Sequence, residues 1–223
     1  MEFPDIKILP EIADTFPGIK LGCLISPVLV EDSCNKLVQS MEEEVGSLFS
    51  QLDAEKIREM PAVKALKQSY KRLGKDPNRY RPAAESLLRR VSKGKGLYFV
   101  NNVVDCLNLV SVKTGFSICG YDLNRIKGNI SLGTGQPGEP YQGIGRGDLN
   151  IESLPVFRDE SGAFGTPTSD SSRTLIDEET QYVLMIIPSL DGDIEGLADA
   201  ISMLSDVLKD YVVNSFPKTK IIE

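Results

Sequence analysis

No histidine occurs anywhere in the 223 residues, which removes Ser-His-Asp and Cys-His catalysis, imidazole metal ligation and the usual proton shuttle near neutral pH. Any chemistry must use carboxylates, hydroxyls, thiols, amines or groups of the substrate itself. The four cysteines, Cys23, Cys34, Cys106 and Cys119, are scattered without a Cys-x-x-Cys pair. They read as reduced thiols, not as bridges or a zinc site, so no metal and no cofactor is expected. Two stretches hold groups with more chemical reach. Asn108, Cys119 and Asp122 bring an amide, a thiol and a carboxylate close together in sequence, with Gly120 and Tyr121 between the last two. Further on, TPTSDSSRT crowds hydroxyls and a carboxylate together.

Each candidate has two readings. A thiolate at Cys119 needs a cationic neighbour to lower a pKa of about 8.5; otherwise the residue lines a pocket. Asn108 offers a donor and an acceptor, or caps a helix end. Asp122 can accept a proton, or bond its own backbone in a turn as Asp commonly does. Asp105, inside an apolar helical run, reads as a cap or as a partner for an arginine. Arg173 can meet a carboxylate or phosphate through a forked pair of bonds, or stand in a surface turn. Gly120 admits either close backbone approach to a ligand or a β-bulge.

Charge is unevenly spread. The chain has a formal net of −7, yet the window from Lys64 to Lys95 carries eleven basic residues against two acidic ones, a net +9, leaving −16 for the remainder. Phosphate contacts made by Lys and Arg supply most sequence-independent affinity for nucleic acid. Lys71, Arg72, Lys75, Arg79, Arg81, Arg89 and Arg90 are therefore the RNA-binding candidates, with Tyr70 and Tyr80 interleaved as surfaces on which unpaired bases could stack. The alternative is that this window balances the acidic segment at 42–59.

The elements that must position these groups follow from periodicity. IKLGCLISPVLV mixes alternating and β-branched positions and predicts a strand entered from a Pro-rich loop. The next thirty residues or so, to Met60, predict helix with a break around Ser50 to Asp53. A second helix is expected from Pro61 to Tyr70, a third opening at Pro82, and a fourth over VVDCLNLVSVKT, ending at Gly115. Short strands follow: FSICGYDL, NISLG, LPVFRDESGAFG and YVLMIIPSL, with GQPGEPY as a turn. DIEGLADAISMLSDVLKDYVV restores an amphipathic helix that packs across the sheet. This order predicts an α+β fold, not a wound parallel sheet. The chain is expected to form a single domain over 1–223, with 1–60 as a strand-plus-helix extension. No stretch approaches the roughly 20 apolar residues of a membrane span, and the opening lacks the order of a secretory signal, so a cytoplasmic protein is expected.

The stretch from Val103 to Leu132 resembles the editing domain, the third and fourth modules, of the phenylalanyl-tRNA synthetase beta subunit. That family's pattern is Val-Asp-x-x-Asn-x-Val, here Val104, Asp105, Asn108 and Val110, followed by aromatic-Asp-x-x-x-Ile-x-Gly, here Tyr121, Asp122, Ile126 and Gly128. Gly138-Glu139 falls where the family has Gly-Glu, and Asp177 to Gln181 resembles the acidic turn before the family's last strand. RLGKDPNRYRPAAESLLRRVSKGKGLYFVNN resembles the lead-in of free-standing members, so the likeness covers roughly residues 70 to 190. It implies a layered, sandwich-like core of short strands with packed helices. It also implies binding of a tRNA or aminoacyl-tRNA acceptor end, and hydrolysis of a mischarged ester as a second sieve. No part resembles the synthetase's catalytic core, so amino-acid activation is not expected.

Carried over residue by residue, the family's site asparagine is Asn108. The histidine two residues before the aromatic-Asp pair is replaced by Cys119, and the glutamate that recognises a tyrosine hydroxyl falls at Ile186. These departures argue against tyrosine specificity. Ser169, Asp170, Ser171, Ser172, Arg173 and Thr174 occupy the place of the family's glycine-rich editing loop; Asp170 to Thr174, with Gly120, Tyr121 and Ile186, are the expected substrate contacts. Ester cleavage needs a positioned water, a proton acceptor and donors toward the oxyanion; the acceptor is a ribose hydroxyl of the substrate or a carboxylate such as Asp122. The alternative function is a non-catalytic module that holds an amino acid or a tRNA end.

Overall fold

A computed structural model describes residues 2–213 and 215–223. Its elements run β1 (Ile6–Ile8), α1 (Pro10–Ala13), β2 (Lys20–Pro27), α2 (Asn35–Gln51), α3 (Ala54–Glu59), α4 (Pro61–Arg72), α5 (Ala83–Val91) and α6 (Asn102–Thr114). Then come β3 (Cys119–Asp122), β4 (Ile130–Thr134), β5 (Gln142–Gly143), β6 (Gly147–Asp148), β7 (Pro155–Asp159), β8 (Gly162–Gly165), β9 (Tyr182–Ser189), α7 (Ile194–Tyr211) and β10 (Lys218–Ile222).

The strands form two four-stranded sheets, β1-β4-β7-β8 and β10-β2-β9-β3, and a small β5-β6 ribbon. Among the described residues only the β1-β4 pairing is parallel. Side chains alternate across a strand, and here both faces are covered. Leu21, Cys23 and Ile25 of β2 and Leu184 and Ile186 of β9 point at the first sheet, into a core shared with Leu132, Phe157 and Phe164. Leu24, Val183, Met185 and Ile187 point the other way, into a core built with the helices. The near-continuous apolar run of β9 is thus that of a strand buried on both sides, and the layers are helices, sheet, sheet. This is the expected α+β class.

α6 is the centre of the helical layer. It packs against α2, α5 and α7, which explains why apolar residues occupy most of its circumference. The Asn101 side chain caps its start by accepting from Val104 N at 2.9 Å. Gly115 ends it in the left-handed conformation, φ 78°, that glycine adopts without penalty. The break expected near Ser50 to Asp53 is the α2-α3 junction, where Asp53 caps α3 through the amides of Glu55 and Lys56.

Four short strands escaped the sequence reading: the two-residue β5 and β6 of the ribbon, β1 and β10. β1 is three residues long, too short for a periodic signal, and owes its existence to parallel pairing with β4 far along the chain. β10 is an edge strand with mostly exposed residues, ordered by its register with β2. β2 lies between β9 and β10, so the first sixty residues supply an interior strand. No described helix is long and apolar enough to cross a membrane.

Candidate functional site

The face of α5 opposite its buried residues Ala84, Leu88 and Val91 forms one wall of a cleft of about 700 Å³. Arg81, Arg89, Arg90, Lys93 and Lys95 come from α5 and its flanks, Arg146 from the β5-β6 turn, and Asn108 from α6. Thr168 and Ser169 close the opposite side, with Leu87, Tyr98 and Ile144 as the larger apolar contributors. Among the described residues no acidic side chain lines the cleft.

Six cations facing one space repel one another, and little compensates them. Among the described residues, Arg89 alone of the six pairs with a carboxylate: its Nε lies 2.7 Å from Glu85 Oε1, which also accepts from Lys67 Nζ at 2.9 Å. Glu85 is fully buried, so it offsets two cations from beneath the helix. Arg90 instead lies over the Tyr98 ring, 3.8 Å from its centroid, and donates to the Tyr98 hydroxyl at 3.1 Å. Such a cleft draws anions in, and its low-dielectric walls concentrate the field.

The loop that closes the cleft is held from several directions. Pro167 O accepts from Ala83 N at 2.8 Å, Thr168 Oγ1 and the Tyr70 hydroxyl are 2.9 Å apart, and Ser169 O accepts from the Tyr141 hydroxyl at 2.6 Å. Asp170 Oδ2 accepts from Gly120 N at 3.0 Å. A loop fixed in this way presents Thr168 and Ser169 in one place.

Placement of the expected site residues divides them. Asn108 is half-buried in mid-helix and reaches the cleft. Its side chain is not a cap, because Asn101 performs that task, and no described residue hydrogen-bonds its amide. Cys119 and Ile186 are buried and sit side by side in the β3-β9 register, facing the inter-sheet core. Burial, reinforced by the Asp170 carboxylate, pushes the Cys119 thiol well above its ordinary range, the reverse of an activated nucleophile. Asp122 accepts from Asn124 N at 2.9 Å and from the Thr180 hydroxyl at 2.9 Å, and pairs with Arg125. It is a turn residue tied on all sides. Asp105 likewise accepts from Ser33 and Val100.

Gly120 is small for a reason other than ligand approach: a Cβ there would lie 2.7 Å from Leu107 Cδ1 of α6. Tyr121 is a core ring, edge-on to Phe164 at 4.8 Å between centroids. Asp170 turns inward, and burial raises its carboxyl to about 7 against the opposing Gly120 amide. The Cys119 thiol and Tyr121 hydroxyl lie close enough to act on that carboxyl, yet neither meets hydrogen-bond geometry at Oδ1, which has no partner. Ser171, Ser172 and Arg173 line a second pocket of about 410 Å³ with Tyr141 and Gln142. Arg173 is engaged there by Asp159 through bonds of 2.9 and 3.0 Å and by Gly162 O; Thr174 is buried.

The basic window also splits. Arg81, Arg89 and Arg90 enter the cleft. Lys75 turns inward, bonded to the carbonyls of Asn150 and Glu152, and burial lowers its pKa. Arg72 lies over the Phe16 ring, Arg79 over Tyr80, and Lys71 is exposed on α4. Tyr70 is fully buried and bonded to Thr168, so it is closed to bases. The sequence reading missed Tyr98 and Arg146. Tyr98 opens an aromatic run in a segment with no helical or strand period, and it is 57% exposed. Arg146 sits alone among glycines, where no basic cluster draws attention to it.

Fold and site together define a layered α+β domain with a cationic cleft between a helix face and a braced loop. The B3/4 domain family matches residues 65–212, more than half of the chain, and the protein belongs to that family. Curated proteins give no match. Among solved structures the chain is similar to an N-terminal fragment of the phenylalanyl-tRNA synthetase beta-subunit from Pyrococcus horikoshii, at 12% identity and a TM-score of 0.46. That match covers 97% of this chain and 50% of the other, so the chain spans about half the length of that fragment.

Proposed function

We propose that the cleft binds the acceptor end of a tRNA and that the protein deacylates a mischarged aminoacyl-tRNA there, working in the cytoplasm with residues 1–223 as one unit. The observation that carries this reading is a space of about 700 Å³ lined by six cationic side chains, with an uncommitted amide at Asn108. The cations meet the phosphates. Asn108 donates to the ester carbonyl as it becomes an oxyanion, or holds the α-amino group. Cys119 and Asp122 take no part, so the proton acceptor is a ribose hydroxyl of the substrate.

The test is loss of ester from a panel of mischarged tRNAs. Wild type should hydrolyse at least one member, and Asn108→Ala should slow it by on the order of 10²-fold, the usual effect of removing one oxyanion donor. No ester loss above blank across the panel rejects the hydrolase. One observation favours a second reading, a module that holds an amino acid or tRNA end without turnover: the two titratable groups expected at the site are both buried. Binding measured by calorimetry with no ester loss would select it.

A further inference from the structure

We infer that the Arg90–Tyr98 pair is a stacking platform for an unpaired base, so the cleft takes nucleic acid with a single-stranded end and not a blunt duplex. This rests on the proposal that RNA occupies the cleft. The guanidinium of Arg90 covers one face of the Tyr98 ring at 3.8 Å and is oriented by the bond of 3.1 Å to its hydroxyl. Arg90 Nε is buried without a partner among the described residues, so the ring, not a carboxylate, holds this cation in place. Tyr98 nevertheless remains 57% exposed, beside Phe99 at 53%. Val100 follows at 54%, and three consecutive exposed apolar side chains form the contiguous kind of patch that marks a contact surface. A planar base laid on the free face buries that area, and the Arg90 charge beneath the ring strengthens the contact. Lys93 and Lys95 line the same cleft within a few residues of the ring, placed to meet the phosphates flanking a stacked base. A paired base inside a helix offers no face to the ring, which is why the preference is for an unpaired end.

The experiment compares two RNA hairpins with the same stem, one blunt and one with a single-stranded 3′ tail carrying 2-aminopurine as its terminal base. The protein has no tryptophan, so the probe's fluorescence is read without interference. Wild type should bind the tailed hairpin more tightly than the blunt one and quench the probe. Tyr98→Leu keeps the bulk but removes the flat ring: it should weaken tailed binding roughly 5- to 100-fold, abolish quenching and erase the preference for the tailed hairpin over the blunt one. Tyr98→Phe should retain both. Equal affinity and equal quenching in wild type and Tyr98→Leu overturn the platform while leaving the cleft's RNA binding intact. Failure of wild type to bind either hairpin overturns the cleft reading itself.

Discussion

The backbone amide of Gly120 donates to Asp170 Oδ2 at 3.0 Å, joining the strand that carries Cys119 to the loop that closes the cleft. Asp170 is partly buried, and its other oxygen, sealed from solvent, lacks a partner among the described residues. A buried, half-satisfied charge is costly, and its cost is visible as the rise of the carboxyl from an ordinary 3.8 to about 7.

That rise fixes a pH dependence. Between about pH 4 and 7 the native Asp170 keeps a proton that the unfolded chain has lost, so stability present below about pH 4 falls as pH rises to about 7 and is flat beyond. Asp170→Asn keeps an acceptor for Gly120 and removes the titration. The difference in melting temperature, variant minus wild type, should climb from pH 4 to pH 8, reflecting up to a few kcal/mol at roughly 1.4 kcal/mol per unit. Asp159 and Glu139, held low by their arginines against the effect of burial, lose stability toward acid in both proteins and cancel. A flat difference curve rejects an ionisable, strained Asp170.

Thiol chemistry gives a second expectation. Cys34 is exposed, whereas Cys23, Cys106 and Cys119 are buried, with burial pushing Cys23 up to about 12 and raising the other two as well. In the native protein an aromatic disulfide reagent should titrate one thiol rapidly, and Cys34→Ser should remove it. Cys119→Ala should leave any ester hydrolysis within a factor of two or so, since a group sealed from substrate contributes no covalent step. Loss of turnover in that variant, with its melting temperature intact, would restore Cys119 as a nucleophile.

Much of this was legible in advance. The helices α2 to α7, the glycine stop at Gly115 and the strand β9 all announced themselves by period or by punctuation, because local propensity and burial agree there. Asn108 was legible only through resemblance: its helix gives no reason to single out one polar residue among apolar neighbours. What period cannot show is which way a charged side chain turns. Lys75 and Arg81 stand six residues apart in one basic window, yet one bonds the carbonyls of Asn150 and Glu152 and the other faces the cleft. Direction was decided by the loop between α4 and α5, where Gly74, Pro77 and Pro82 set a path that has no repeat. Asp170 and Arg173 posed the same difficulty, for a hydroxyl-rich loop reads as a polar lining whether its charges face a ligand or turn to partners elsewhere in the fold, here Gly120 and Asp159.

Glu85 bears on stability more than on binding. Its Oε1 accepts from both Lys67 and Arg89, while Oε2 has no partner. Glu85→Gln leaves Lys67, with a side chain only 11% exposed, without a counter-charge in the interior, and should cost about 3–5 kcal/mol in chemical denaturation. Glu59→Gln breaks the exposed pair with Lys64 and should leave the denaturation midpoint almost unchanged. Equal losses in the two variants would mean that water reaches Lys67 as freely as it reaches Lys64.

The cationic cleft makes a prediction that separates binding residues from their neighbours in sequence. Arg81 and Arg146 reach the cleft from different segments and have no carboxylate partner among the described residues. Each mutation to alanine should weaken binding of a tailed RNA hairpin and, if the residue contacts one phosphate, lower the slope of log affinity against log salt by about 0.7, the value for single strands. Arg72 belongs to the same basic window, but its guanidinium lies 4.8 Å from the Phe16 ring centroid and donates to Thr15 O, outside the cleft lining. Arg72→Ala should therefore leave both affinity and slope unchanged. Fluorescence anisotropy titrations at four salt concentrations measure the slopes. If Arg72 lowers the slope as much as Arg81 does, RNA is being held by the window's charge in bulk, and the particular cleft between α5 and the Thr168–Ser169 loop has no privileged part in binding.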